Sequence, residues 1–130
     1  MTRNAILVED SQTIRETLIP AMSELADTDV IAIAETAHEA ADVLAQHEAQ
    51  WHVAVVDLFL KRGSGFEVIQ ACQRRRKTQK VIVLTNYATA DIRRQCRAMG
   101  ADAVFDKSTE LDSFFAMCTA LSKEERVGDA

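Results

Sequence analysis

The 130-residue chain is short of the residues that interrupt regular structure, with only four glycines and one proline. That scarcity, beside 48% apolar residues, excludes a disordered or linker-rich chain and describes a globular one. Its three cysteines, Cys72, Cys96 and Cys118, are widely spaced. With no CxxC and no zinc-spaced His/Cys cluster, they read as reduced, semi-buried thiols of a cytoplasmic protein. His38, His47 and His52 form no ligand pattern either, and the first two read as surface residues of a helix or its end. No apolar run approaches about 18 residues, so no membrane span or membrane partner is expected. The opening MTRNAILVED lacks the apolar core and small-residue cleavage site of a signal peptide. A net charge of −5, from 15 basic and 20 acidic residues, argues against direct nucleic-acid binding.

What is present is a repeated alternation. Five short runs rich in Val, Ile and Ala recur at 4–9, 29–35, 52–57, 80–85 and 101–105. Such runs suit parallel strands buried on both faces. Helix-period segments lie between them. Ile14, Leu18, Met22 and Leu25 share one face of the first, and Pro20 inside it is expected to kink it. Thr36 and Glu39 have capping-box spacing at the start of the second. The third, 64–76, turns Phe66, Ile69 and Cys72 inward. The fourth carries Ile92, Cys96 and Met99 on one face and stops at Gly100, an expected left-handed C-cap. Leu111, Phe114, Phe115, Cys118 and Leu121 form the stripe of the fifth. Five β-α units of about 22 to 28 residues predict right-handed crossovers and a doubly wound α/β sheet. A barrel needs about 250 residues. The expected domain is 1–122, followed by a short polar tail, 123–130, that frays.

In open parallel sheets, function gathers at the carboxyl ends of the strands. Here those ends carry Glu9 and Asp10, Asp57, Thr85, and Lys107 just after the fifth run. Glu35, after the second, is left out because a marginal strand would point it away. Three carboxylates at close range repel, and a hard divalent cation resolves the repulsion. Mg²⁺ fits, with Asp10 and Asp57 binding directly, the Phe59 carbonyl supplying a third oxygen and Glu9 acting through water. Mg²⁺ leaves positions open to a phosphate. Thr85 and Lys107 suit two phosphoryl oxygens, and a carboxylate such as Asp57 can be the nucleophile. Each residue also has an ordinary explanation. The acid pair can serve a helix N-terminus, Asp57 a turn, Thr85 a strand and Lys107 the surface. Their joint placement at four strand ends favours a site.

These residues resemble the receiver domain of two-component response regulators over about residues 3–122. The motifs are LVED, VVDLFLKRGSGFEV, VLTNY and FDKS, with Gly65 eight residues after Asp57. The resemblance implies a flavodoxin-like (βα)₅ sandwich with a five-stranded parallel sheet ordered 2-1-3-4-5. It implies phosphoryl transfer, with Mg²⁺, from a histidine kinase or histidine phosphotransfer protein to Asp57. Thr85 then moves toward the phosphoryl group, slow self-dephosphorylation follows, and a downstream protein target reads the change. Four positions depart from the family pattern: Val104 where many members have an aromatic switch residue, Ser108 and Lys61 where Pro is common, and Asn86 where a small residue is usual. Phe105 should face the other way on its strand. These departures bear on readout, not on phosphorylation.

Phe59 and Tyr87 each follow a site residue by two positions and are expected to rim the pocket and slow hydrolysis. Arg93, Arg94 and Arg97 lie on the fourth helix, part of the family's signalling face with Val104, where an acidic partner or plain solvation would suit them. RRRK at 74–77 reads as the solvated end of the third helix. GSG at 63–65 reads as a turn, with no GxGxxG after the first run. Rival classes are an FMN-binding flavodoxin-like protein, which wants a neutral Ser/Thr/Gly loop after strand one, and a haloacid-dehalogenase-type hydrolase, which wants DxD there. EDSQT is neither. A receiver cut from a transcription factor is the fourth reading, and the lack of a trailing linker points to a stand-alone module.

Overall fold

A computed structural model of the chain describes residues 2–129, with side chains described through residue 124. Strands β1 (Arg3–Val8), β2 (Thr28–Ala34), β3 (Val53–Val56), β4 (Lys80–Thr85) and β5 (Ala103–Asp106) alternate with helices. The helices are α1 (Gln12–Ala26), α2 (Ala37–Gln46), α3 (Gly65–Ala71), α4 (Ala90–Ala98) and α5 (Leu111–Asp129). The sheet is parallel throughout and ordered β2-β1-β3-β4-β5. This is the flavodoxin-like α/β fold that the resemblance implied.

Alternate residues of each central strand feed two cores. Ile6, Val8, Val56, Val81, Val83 and Val104 face α2, α3 and α4. Leu7, Val53, Val55, Ile82 and Leu84 face α1 and α5. Both faces are therefore apolar, which is why these strands read as continuous Val/Ile/Leu runs. β2, at the margin, behaves differently. Its register against β1 skips at Ile31, and Ile31 and Ile33 stay 37% and 41% exposed.

The helices follow their sequence signals with corrections at Leu25, at the end of α3 and at Arg75. In α1 the buried row is Leu18, Met22 and Ala26, while Leu25 is 64% exposed. The row steps by four, and residue 25 sits about 100° back from residue 26 around the axis. The helix continues through Pro20, which is exposed, as is Glu16, whose carbonyl loses its usual N–H partner to the proline. Helix α3 stops at Ala71, well short of residue 76, so Arg74–Lys77 lie in the connection to β4. Arg75 there is no solvated cation. It donates to the carbonyls of Cys72 at 3.0 Å, Gln79 at 2.9 Å and Gly100 at 2.6 Å, and pairs with Asp102 at 2.9 Å. The cap signals hold better. Thr36 Oγ1 accepts from the Glu39 N–H at 3.1 Å. Gly100 (φ 112°) closes α4, with its N–H on the Arg97 carbonyl and that of Ala101 on Cys96. The α5 backbone runs on through most of the expected polar tail; residue 130 and the side chains of 125–129 lie outside the described residues.

The three cysteines are more than semi-buried, at 2%, 0% and 1% exposure for Cys72, Cys96 and Cys118. Burial pushes the Cys72 thiol up to about 11 and the Cys118 thiol up to about 12. Among the described residues, no helix is long and apolar enough to cross a membrane.

Gly65 fixes the loop after β3. Its N–H donates to the Leu58 carbonyl at 2.9 Å, and a Cβ there would lie 2.3 Å from the Asp57 carbonyl oxygen and 2.7 Å from the Leu58 Cα. Both are backbone atoms that cannot swing aside. Gly65→Ala is expected to cost about 1–3 kcal/mol in urea unfolding. A midpoint matching the wild type would show that the loop has room to spare.

Candidate functional site

The register brings the strand ends level. Val8 pairs with Ala34 and Val56, Val56 with Val83, and Thr85 with Asp106. The ladder then runs one bond further: Glu9 N–H to the Ala34 carbonyl and Asp57 N–H to the Val8 carbonyl, each at 2.9 Å, and Lys107 N–H to the Thr85 carbonyl at 3.0 Å. Sheet hydrogen bonding thus places Glu9, Asp57 and Lys107 along one edge.

Their side chains meet. Lys107 Nζ donates to Glu9 Oε1 at 2.5 Å and to Asp57 Oδ2 at 2.9 Å. Glu9 is 2% and Asp57 8% exposed, so the ammonium sits between two nearly buried carboxylates. Asp10, half-buried, completes a group whose ligand oxygens lie within 4.8 Å of one another. Asp10 makes no side-chain hydrogen bond or ion pair among the described residues, which leaves its carboxylate available to a cation. Glu35 is turned away, 3.0 Å from Arg15, which also donates to the Glu9 carbonyl.

The electrostatics follow from burial. Desolvation raises the Glu9 carboxyl above its ordinary value, outweighing the hydrogen bonds from Lys107 and the Ser11 N–H; the Asp57 charge adds to the rise. Burial alone would lower Lys107, yet its hydrogen bonds to Glu9 and Asp57 carry it above its ordinary value. The lysine is therefore firmly cationic, and it already balances part of the carboxylate charge.

Thr85 is fully buried, and its Oγ1 accepts the Tyr87 N–H at 3.2 Å. Phe59 and Tyr87 are 53% and 59% exposed and meet edge to face, with ring centroids 4.8 Å apart. The Phe59 backbone bridges Ser64 across the loop. Ser108 Oγ lies 3.4 Å from Asn86 Oδ1.

The expected signalling face is only partly free. Arg97 is exposed. Arg94 pairs with Asp91 within its own helix. Arg93, however, is engaged with the Ala88 and Val104 carbonyls and with Glu110. Val104 is 2% exposed and buried among the residues facing α2, α3 and α4, whereas Phe105 packs on the α1/α5 side, as strand alternation requires. Glu110 was not legible as a special residue. Its only sequence signal is an acid immediately before α5, and its partner lies 17 positions away. Arg93 and the Asp106 N–H hold its carboxyl below the usual range.

Residues 5–119 match the response regulator receiver domain, and the chain belongs to that family. It is 31% identical over 108 residues to the photosynthetic apparatus regulatory protein RegA of Rhodobacter capsulatus, covering 83% of this chain and 56% of that protein. The chain thus spans about half the length of that relative. A signal receiver domain of a DNA-binding response regulator protein (merR) from Colwellia psychrerythraea 34H superposes with a TM-score of 0.81 at 21% identity, covering 93% of this chain and 98% of that one. The REC domain of AraT, a response regulator from Geobacillus stearothermophilus, gives 0.78 at 21% identity over 97% and 99%. These structures share the fold. Family membership makes the matched domain a phosphoacceptor module of two-component signal transduction. It also implies a cognate histidine kinase.

Glu9→Gln provides a test of the electrostatics. Folding favours the protonated Glu9 carboxyl, so the wild type carries no penalty below the unfolded value near 4.5. The penalty develops as pH rises through the raised folded value and is constant above it. In divalent-free buffer, thermal melts are expected to show Glu9→Gln gaining on the wild type across that window and holding the gain at neutral pH. A difference independent of pH would place the origin in packing instead.

Proposed function

We propose that Asp57 is the phosphoacceptor, with Glu9, Asp10, Asp57 and the Phe59 carbonyl as the Mg²⁺ site and Thr85 and Lys107 as the phosphoryl-binding groups. The observation that carries this reading is Lys107 Nζ bridging Glu9 and Asp57 at the carboxyl edge of the sheet, beside the uncommitted Asp10. The oxygen-only donor set suits a hard cation. Bound there, Mg²⁺ would neutralise charge on the carboxylates and on an incoming phosphoryl group.

An Asp57 oxygen attacks phosphorus of a phosphohistidine on the kinase or phosphotransfer protein. The P–N bond breaks as a P–O bond forms; the bonding pair stays on the released nitrogen, and the proton already on the other ring nitrogen lets the imidazole leave neutral. Thr85 Oγ1 uses a lone pair on the Tyr87 N–H, so its own proton is free for one phosphoryl oxygen. Lys107 is tethered to Asp57 and lies within reach of another oxygen. Water attack on phosphorus later returns the carboxylate and inorganic phosphate. The output is a change in protein contact made on the α4–β5–α5 side.

Intact-mass measurement with Mg²⁺ and a small phosphodonor is expected to show one phosphoryl adduct on the wild type and none on Asp57→Asn. Lys107→Ala is expected to label at least about tenfold more slowly, since it removes a charge-assisted contact to the transferred group. An adduct persisting in Asp57→Asn would move the site. The exposed Phe59 and Tyr87 rings form one unit at the loop after Asp57 and the loop after Thr85. If they limit water's approach, Phe59→Ala with Tyr87→Ala shortens the phosphoryl lifetime roughly fivefold, about 1 kcal/mol of barrier. An unchanged lifetime would reduce the rings to loop packing.

A further inference from the structure

Thr85 and Lys107 open different loops; Ser108 Oγ reaches Asn86 Oδ1 across them at 3.4 Å, and a second, closer side-chain pair, Arg93 with Glu110, joins them as well. Arg93, in the first turn of α4, points its guanidinium across the β4–α4 and β5–α5 connections. Its Nε donates to the Ala88 carbonyl at 2.9 Å, its Nη1 to the Val104 carbonyl at 3.1 Å and its Nη2 to Glu110 Oε1 at 2.6 Å. The same Glu110 oxygen accepts the Asp106 N–H at 2.9 Å, and the Glu110 N–H donates to the Asp106 carbonyl at 2.9 Å. Glu110 therefore wraps the residue before Lys107 and leads into α5.

The two side chains are 29% and 32% exposed, so the pair is shielded without being buried. A planar fork with three separate acceptors is geometrically demanding. Ala88 is three residues after Thr85 and Asp106 one before Lys107. A shift of the β4–α4 loop that moved the Ala88 carbonyl would be met, through the guanidinium, at β5 and the start of α5. Val104, short, β-branched and 2% exposed, has no ring to turn in response. Its carbonyl, held by Arg93, is the part of it that can take part.

We propose that Arg93 and Glu110 are positioning residues that make the Thr85 loop and the Lys107 loop move as one unit and pass that movement to α4 and α5. The functional half of this inference rests on Asp57 being the phosphoacceptor; the mechanical half does not.

The test uses Arg93→Ala, Glu110→Ala, their double variant and Arg93→Lys. Without phosphodonor, hydrogen exchange is expected to rise across the gap. Arg93→Ala loosens residues 105–109, Glu110→Ala loosens 86–89, and the double variant loosens neither further than the singles. Arg93→Lys, which keeps the charge but cannot fork, is expected to resemble Arg93→Ala; rescue by lysine would leave only a charge effect and overturn the proposal. Exchange confined to each variant's own loop would overturn it too. With Mg²⁺ and phosphodonor, each single variant is expected to shift the Asp57 labelling rate about three- to fivefold in the same direction, with no added shift in the double. Rate effects that multiply in the double variant would show two independent roles. A wild type that takes no phosphoryl group discards the Asp57 reading, and the exchange result still decides the link.

Discussion

The site exists because one ammonium sits between two acids that the sheet forces together. Hydrogen bonding beyond the strand ends carries Glu9 and Asp57 onto the same edge, where each is nearly out of water. Two buried carboxylates at that spacing oppose folding. Lys107, delivered by the end of β5, meets both. The arrangement is balanced rather than saturated, because Asp10 adds a third acid that no described protein group offsets. Surplus negative charge beside a fixed cation is the charge distribution that the proposed metal ion and phosphoryl group would require.

Much of this could be read from the chain because the signals are local. Runs of Val, Ile and Ala mark strands, a Thr three residues before Glu39 marks a cap, and Gly100 marks a helix end. Asp57 stood out because an acid closing an apolar run needs a partner. Strand order is another matter. Alternation fixes that the sheet is parallel, but the crossing of β2 and β1 was supplied by likeness to a family. What escaped reading has a common physical cause. Leu25 is exposed because the sheet selects a four-step row, a fact about the partner surface. Arg75 looked like part of a solvated basic run because its acceptors are main-chain carbonyls, one of them 25 positions away. Arg93 was misread as a free cation for the same reason. Carbonyls are present at every residue and leave no trace in composition.

The same distinction separates chemistry from readout. The groups that would handle a phosphoryl group sit at strand ends, where the fold leaves little freedom. The groups that would report its presence sit on loops and helix starts, held by side chains reaching for backbone oxygens. Such contacts can be rearranged without disturbing the core. Asn86, on the loop after β4, can therefore depart from the family pattern while Asp57, Thr85 and Lys107 stay in register.

The three sulfur atoms lie beneath the helices, and for Cys72 and Cys118 the thiolate is almost absent near neutrality. Thiolate is the form that oxidants and electrophiles attack. The thiols of the folded domain are therefore shielded from disulfide exchange and alkylation. If the proposed acyl phosphate carries the signal, the thiols add no second, redox-written record beside it for as long as the core stays closed.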